Sequence, residues 1–236
     1  MHQQGKENHF KWFIKFISLE TLITMCTFVA ALLLFLFLAH GILDSDTFSF
    51  DQRAFQFTDS HISDRLTELM QYLSFFGSHL FLIPANLILI IVFVLKKDRW
   101  NSIKIPAVAF SSVLMMLLLK LIFQRARPID PLLEQAAGFS FPSGHSLMSV
   151  TFYGLILYIL VKHQKNTWLK LIYSFIFTSF IILIGVSRIY LRVHFASDVI
   201  AGFCMGILCL IISLWILSNA EKRYFNQNNS LIIDDE

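Results

Sequence analysis

Val199–Ala220 reads VIAGFCMGILCLIISLWILSNA, 22 residues without one Asp, Glu, Lys or Arg. About 20 mostly apolar residues in helical form cross the hydrocarbon core of a bilayer, so this stretch reads as a spanning helix. Moving outward toward the N-terminus, five further stretches are free of those four residue types: Leu171–Ser187, Gln135–Val161, Ile105–Leu119, Leu69–Leu95 and Thr21–Leu43. Two fall short of a full span and are completed by their neighbours, Ile105–Leu119 by Lys120 to Phe123 and Leu171–Ser187 by Ile189 to Leu191. Pro142 and Gly144 delay the start of the fourth helix to about Ser143. The reading is an all-α, polytopic membrane protein with six transmembrane helices in a bundle and both termini on one side.

Composition agrees. Of 236 residues, 56% are hydrophobic, only 15% are charged, and Phe alone occurs 25 times. A soluble domain has about a quarter of its residues charged and too little interior for this much apolar surface. The net charge of +3 is small, and the basic residues are spread over loops instead of packed in a run, which argues against nucleic acid as a partner. Cys26, Cys204 and Cys209 all lie in apolar segments and read as small apolar filler, not as a disulfide framework or metal site. Thr21 to Ala39 is longer than a signal-peptide core and lacks a small-residue cleavage site, so it is expected to be retained as a helix.

The short connections set the orientation. Lys6, Lys11, Lys15, Lys96, Lys97, Arg99, Lys104, Lys162, Lys165, Lys170, Lys222 and Arg223 fall on one side of the six spans. Arg53, Arg65, Arg125, Arg127, Arg188 and Arg192 fall on the other. Positive charge accumulates on the cytoplasmic side, so twelve against six puts both termini in the cytoplasm. Residues 1–18 are then a cytoplasmic segment, 19–218 the membrane unit, and 219–236 a cytoplasmic tail, polar and acidic from Asn226 and expected to be disordered. The loop from Leu43 to Glu68 is too charged to span. Its alternating Phe48, Phe50, Phe55 and Phe57 suggest an element lying at the interface near a site entrance; a solvated connecting loop is the alternative.

Three clusters gather on the outer side. Lys120 is followed by Arg127-Pro128, then comes Pro142-Ser143-Gly144-His145, and last Ser187-Arg188, His194 and Asp198. Arg presents a planar fork that matches phosphate oxygens and Lys a compact charge, although a lone cation near a helix end more often snorkels to the headgroups. Arg125 is assigned to that ordinary role, as a headgroup contact or rim charge. Pro142-Ser143 before an apolar run is a helix start, whose free N–H groups favour an anion, and Gly144 lets the backbone come close to a phosphate. His145 in the first turn is placed to give a proton to a leaving oxygen; an ordinary cap with an interfacial histidine is the alternative. His194 and Asp198 are four apart, so on a helix they share a face. A carboxylate holding one ring nitrogen fixes the tautomer and leaves the other nitrogen free as a nucleophile. The alternative is that Ser197 and Asp198 merely cap the last helix. A divalent metal needs several converging His or carboxylate ligands, and two histidines and one aspartate among many cations are a poor set, so no metal and no cofactor is expected.

Taken together, Lys120-x6-Arg127-Pro128, Pro142-Ser143-Gly144-His145 and Ser187-Arg188-x5-His194-x3-Asp198 resemble the three-part signature of the type 2 phosphatidic acid phosphatase family, with no departure at any signature position. That superfamily includes lipid phosphate phosphatases, undecaprenyl pyrophosphate phosphatases, glucose-6-phosphatases and vanadium haloperoxidases. The resemblance implies that His194 attacks phosphorus and forms a phosphohistidine, that Asp198 orients it, and that His145 protonates the leaving group. It implies that Lys120, Arg127 and Arg188, with Ser143 and Gly144, hold the phosphoryl oxygens, and that no metal takes part. Six spans exclude a soluble haloperoxidase, and a glucose-6-phosphatase role is disfavoured. The expected partners are the bilayer and a lipid phosphate or lipid pyrophosphate substrate: undecaprenyl pyrophosphate, phosphatidylglycerophosphate or phosphatidic acid. The expected place is the bacterial inner membrane, with the site facing the periplasm or exterior. Two other functions share these residues: a phosphotransferase that passes the phosphate to an acceptor lipid, and a non-catalytic lipid-binding or transport protein.

Overall fold

The computed structural model describes residues 19–45, 48–132 and 138–233. Eight α-helices occur among them: α1 (Leu19–Ser45), α2 (Ser49–Asp59), α3 (Asp64–Phe75), α4 (His79–Leu95), α5 (Arg99–Phe123), α6 (Gly144–His163), α7 (Thr167–Tyr190) and α8 (Ala196–Ile233). α1, α5, α6, α7 and α8 are each long and apolar enough to cross a membrane. The N-terminal cytoplasmic segment expected over residues 1–18 lies outside the described residues.

The second expected span is not one straight helix. The stretch folds as two helices, α3 and α4, bent by 41° at residues 76–78, and the pair passes as a span only when taken together. The cause is local. Gly77 N–H donates to the Ser74 carbonyl at 3.0 Å and Ser78 N–H to Phe75 at 2.9 Å, closing a turn in place of continued helix. A β-carbon at Gly77 would lie 2.6 Å from Ile184 Cγ2 and 3.0 Å from Ser149 Oγ, so only glycine lets this turn press onto α6 and α7. The bend lays α3 against the end of α7, where Thr67 Oγ1 meets the Tyr190 hydroxyl at 3.0 Å and Leu66 and Met70 pack on Tyr190, Leu191 and Val193.

α6 is the central helix. Ser143 caps it, its hydroxyl accepting from Ser146 N–H at 3.4 Å. α8 crosses α6 closely because Gly202 and Gly206 stand one turn apart on the contact face. A β-carbon at position 202 would fall 2.6 Å from the Ser143 carbonyl oxygen, and one at 206 would fall 2.8 Å from that of Leu147. Small residues four apart are the usual way for two membrane helices to bring their backbones together. The outward faces of α1, α5 and α7 expose large apolar side chains such as Leu33, Phe110 and Phe175, as lipid-facing helices do.

Of the two readings of the loop from Leu43 to Glu68, the structure favours an ordered element over a solvated connection: α2 and the start of α3 occupy most of it, and α2 buries Asp51 and Thr58 against the bundle. Two other expectations need correction. Residues 226–233, part of the tail expected to be disordered, continue α8 as far as Ile233, no Gly or Pro following Gly206 to stop it; the tail's last residues, 234–236, lie outside the described residues. Lys104, counted as a loop charge, is buried on α5 with its Nζ 2.6 Å from Glu221 Oε2 on α8.

Candidate active site

The three clusters converge at one end of the bundle. Lys120 lies in the last turn of α5, with Nζ donating to the Phe139 carbonyl at 2.9 Å. Gln124 ends that helix in a left-handed conformation, φ 45°, and the chain turns into the segment that carries Arg125, Arg127 and Ser140. Arg188 is in the last turn of α7. The turn after it is closed by His194 N–H and Val193 N–H on the Arg188 carbonyl, at 3.3 and 3.2 Å, which fixes His194 beside Arg188. α8 starts at Ala196. His194 therefore sits just before the helix that carries Asp198, not on it, yet the spacing still brings His194 Nδ1 within 3.6 Å of Asp198 Oδ2.

That distance is too long for a direct hydrogen bond. Ser140 closes the gap: its hydroxyl is 3.3 Å from His194 Nδ1 and donates to Asp198 Oδ2 at 2.5 Å. Asp198 also accepts from Phe195 N–H at 2.9 Å, so it caps α8 and serves the histidine at once. On the other edge of the ring, Nε2 is 3.5 Å from Arg127 Nη1. Arg127 is anchored by bonds to the Val193 carbonyl at 2.8 Å and the Gly138 carbonyl at 2.9 Å. Arg188 Nη1 donates to Ser74 Oγ, while its Nε is buried without a protein partner.

Burial is the main electrostatic influence. It pushes His194 down to about 4 against the upward pull of Asp198, with Arg188 and Arg127 adding to the fall. The imidazole is therefore neutral at pH 7, with a lone pair to offer. Burial also lowers Arg127, which remains a cation.

One cavity of about 1100 Å³ connects these groups. Lys120, Arg127, Gly144, His145, Arg188 and His194 line its polar end. From there it continues between α4, α5 and α6, past Met116, Ser112 and Ile83 as far as Ile90 and Pro106. Pro106 to Lys120 is fourteen residues of helix, about 21 Å at 1.5 Å per residue. Of the eight residues singled out in the sequence, six line this cavity. Asp198 is fully buried behind His194. Ser143 is also fully buried; its N–H donates to the Asp198 carbonyl at 3.0 Å and its hydroxyl serves α6, so it acts here as a cap.

Three participants had no clear sequence signal. Arg125 is not a rim charge. It is 4% exposed, stacks on the Phe195 ring at 4.1 Å, and bridges two carboxylates, with Nη1 2.5 Å from Asp198 Oδ1 and Nη2 3.2 Å from Asp51 Oδ2. Asp51 comes from α2 and Ser140 from the loop before α6. Arg192 lies at the rim, paired with Asp59; that hydrogen bond raises its pKa. His79 begins α4 and lines the cavity.

Residues 103–222 match the family model of the PAP2 superfamily. Phosphatidylglycerophosphatase B of Bacillus subtilis is 34% identical over 149 residues, 62% of this chain and 73% of that one. Undecaprenyl-diphosphatase of Sulfolobus acidocaldarius is 29% identical over 168 residues, 69% of this chain and 76% of its own. The crystal structure of a transmembrane PAP2 type phosphatidylglycerolphosphate phosphatase from Bacillus subtilis superposes with a TM-score of 0.74 at 29% identity, over 84% of this chain and 96% of that one.

Proposed function

Because this chain belongs to the PAP2 superfamily, we propose that it is an integral membrane phosphatase that removes the terminal phosphate from a lipid monophosphate or lipid pyrophosphate. One observation carries the reading. A buried histidine backed by a carboxylate faces three cations at the polar end of a long apolar cavity.

In the proposed reaction Lys120, Arg127 and Arg188 hold the phosphoryl oxygens, and Gly144 lets the start of α6 approach them. His194 Nε2 donates its lone pair to phosphorus, the P–N bond forms, and the bond from phosphorus to the lipid oxygen breaks. His145 gives that oxygen a proton. Water then attacks phosphorus, His145 takes back a proton, and the P–N bond breaks to release phosphate. His194 keeps its Nδ1 proton throughout, directed at Ser140 and Asp198. Phosphoryl transfer is chiefly positioning and charge stabilisation, which this set of groups supplies.

The apolar cavity takes the lipid tail. Phosphatidylglycerophosphate is placed first among substrates, since the likeness to phosphatidylglycerophosphatase B is the higher of the two reported; undecaprenyl pyrophosphate and phosphatidic acid follow. The phosphatase unit is taken as residues 19–218. The Lys and Arg distribution supports a cytoplasmic position for both termini and an active site on the outer side of a bacterial inner membrane.

The test is phosphate release by purified protein in detergent from these three lipids and a soluble phosphate ester, with His194→Ala alongside. Release that needs His194 and varies across the panel is expected. Substantial hydrolysis by His194→Ala removes the nucleophile assignment, and no release from any lipid by folded wild-type protein removes the phosphatase reading.

A further inference from the structure

Behind the histidine lies a chain of alternating charge that crosses from the bundle to the short helix α2. Asp198 Oδ1 accepts from Arg125 Nη1 at 2.5 Å, and Arg125 Nη2 donates to Asp51 Oδ2 at 3.2 Å. Asp51 also accepts from Ser197 N–H at 2.8 Å and from the Ser197 hydroxyl at 2.7 Å. Asp51 is 1% exposed, Asp198 is 0%, and Arg125 is 4%. Water screens none of these charges, so their sum matters.

Asp198 and Arg125 alone would cancel. Arg125 is nearer to Asp198 than His194 is, at 2.5 against 3.6 Å, and would take up most of the field that the carboxylate directs at the imidazole. With Asp51 on its far side, the three groups carry one net negative charge. That matches the one positive charge His194 acquires when Nε2 bonds to phosphorus and Nδ1 keeps its proton. We propose that Asp51 is a positioning residue of the reaction: it holds Arg125 in place and offsets its charge, so that Asp198 remains an effective anion toward His194. The inference rests on His194 being the nucleophile.

Asp198, Arg127, Arg188, Lys120 and His145 face the imidazole from the surrounding elements, and Arg125 and Asp51 stand behind Asp198. Neutralising Asp51 leaves the rest unchanged and removes one negative charge. Asp51→Asn therefore lowers the His194 pKa, moving the acid limb of the rate to lower pH by on the order of one unit. It also lowers kcat by roughly 10-fold or more, by analogy with the carboxylate partners that orient metal-bound histidines. Arg125→Gln removes a positive charge and moves the limb to higher pH. The double variant restores the net charge and brings the limb back toward the wild-type position.

A purely structural ion pair gives a different pattern, because losing either partner breaks the same bond. The experiment is the pH dependence of kcat/KM, which reports groups of the free protein, for wild type, the two single variants and the double variant. The His194 titration is followed in parallel by NMR on ring-13C-histidine-labelled protein, assigned with His194→Gln. Opposite displacements that cancel in the double variant support the proposal. Displacements in one direction, or none, overturn it. Should Arg125→Gln fail to fold, the near-isosteric Asp51→Asn and its reversal in the double variant still decide. The NMR titration needs no turnover, so it reads the charge balance even if wild type releases no phosphate, the result that would instead remove the phosphatase reading.

Discussion

Asp198 cannot turn. Its carboxylate accepts from Arg125, from the Ser140 hydroxyl and from Phe195 N–H, and these three donors fix it against His194. Asn in its place would set an NH2 group against one of those donors and would remove the charge. Asp198→Asn is therefore expected to lower kcat by at least about 100-fold, with the helical circular dichroism unchanged. A wild-type rate would mean that Asp198 only caps α8. The histidine itself makes a pH prediction. In the proposed reaction only the neutral ring attacks, and burial holds its pKa down to about 4 in the free protein, so kcat/KM should fall on the acid side near pH 4 and not near 6.5, the ordinary value. The signature residues were legible from spacing because each cluster is short and sits at a helix end. Arg125 and Asp51 were not. They are 74 positions apart, and a single arginine in a loop carries no local mark of whether it faces headgroups or a buried carboxylate.

At the scale of elements, the spans follow from charge-free length, which is why α1, α6 and α7 start and stop within about four residues of expectation, while α5 starts six residues early and α8 runs 13 residues past Ala220. The break between α3 and α4 escaped that criterion, since Phe76, Gly77 and Ser78 carry no charge and leave the apolar run intact. Glycine followed by a cap residue was the available signal, but the need for it comes from α7, more than a hundred residues away in sequence. The contact between α6 and α8 is also tertiary. Gly202 and Gly206 let the start of α6 lie beside the start of α8, so that Ser143 N–H reaches the Asp198 carbonyl and the second and third clusters share one frame. Gly206→Leu should force the two helices apart, costing about 1–3 kcal/mol by overpacking. The measurable result is a lower Tm in detergent together with reduced kcat. An unchanged Tm would show that α8 can shift without loss.

The molecule as a whole is a bundle with its chemistry at one end. Three cations already surround the place where phosphoryl charge develops, so adding a chelator to purified protein should leave phosphate release unchanged; loss of activity restored by a divalent ion would refute this. The topology divides the work along the chain. Everything up to His163 supplies Lys120, Arg127 and His145, the groups proposed to grip the phosphate and move a proton. Everything from Thr167 on supplies Arg188, a third cation for the phosphate, and the pair proposed to attack, His194 and Asp198. Only Gln164, Lys165 and Asn166 join the two parts, at the end of the bundle away from the site. Helices in a membrane form singly before they associate. A gene cut between the codons for Gln164 and Asn166 should therefore yield two inactive polypeptides that regain phosphatase activity when made together in one cell. Half of a phosphatase is then a grip without a nucleophile, and the other half a nucleophile with one cation where three are needed.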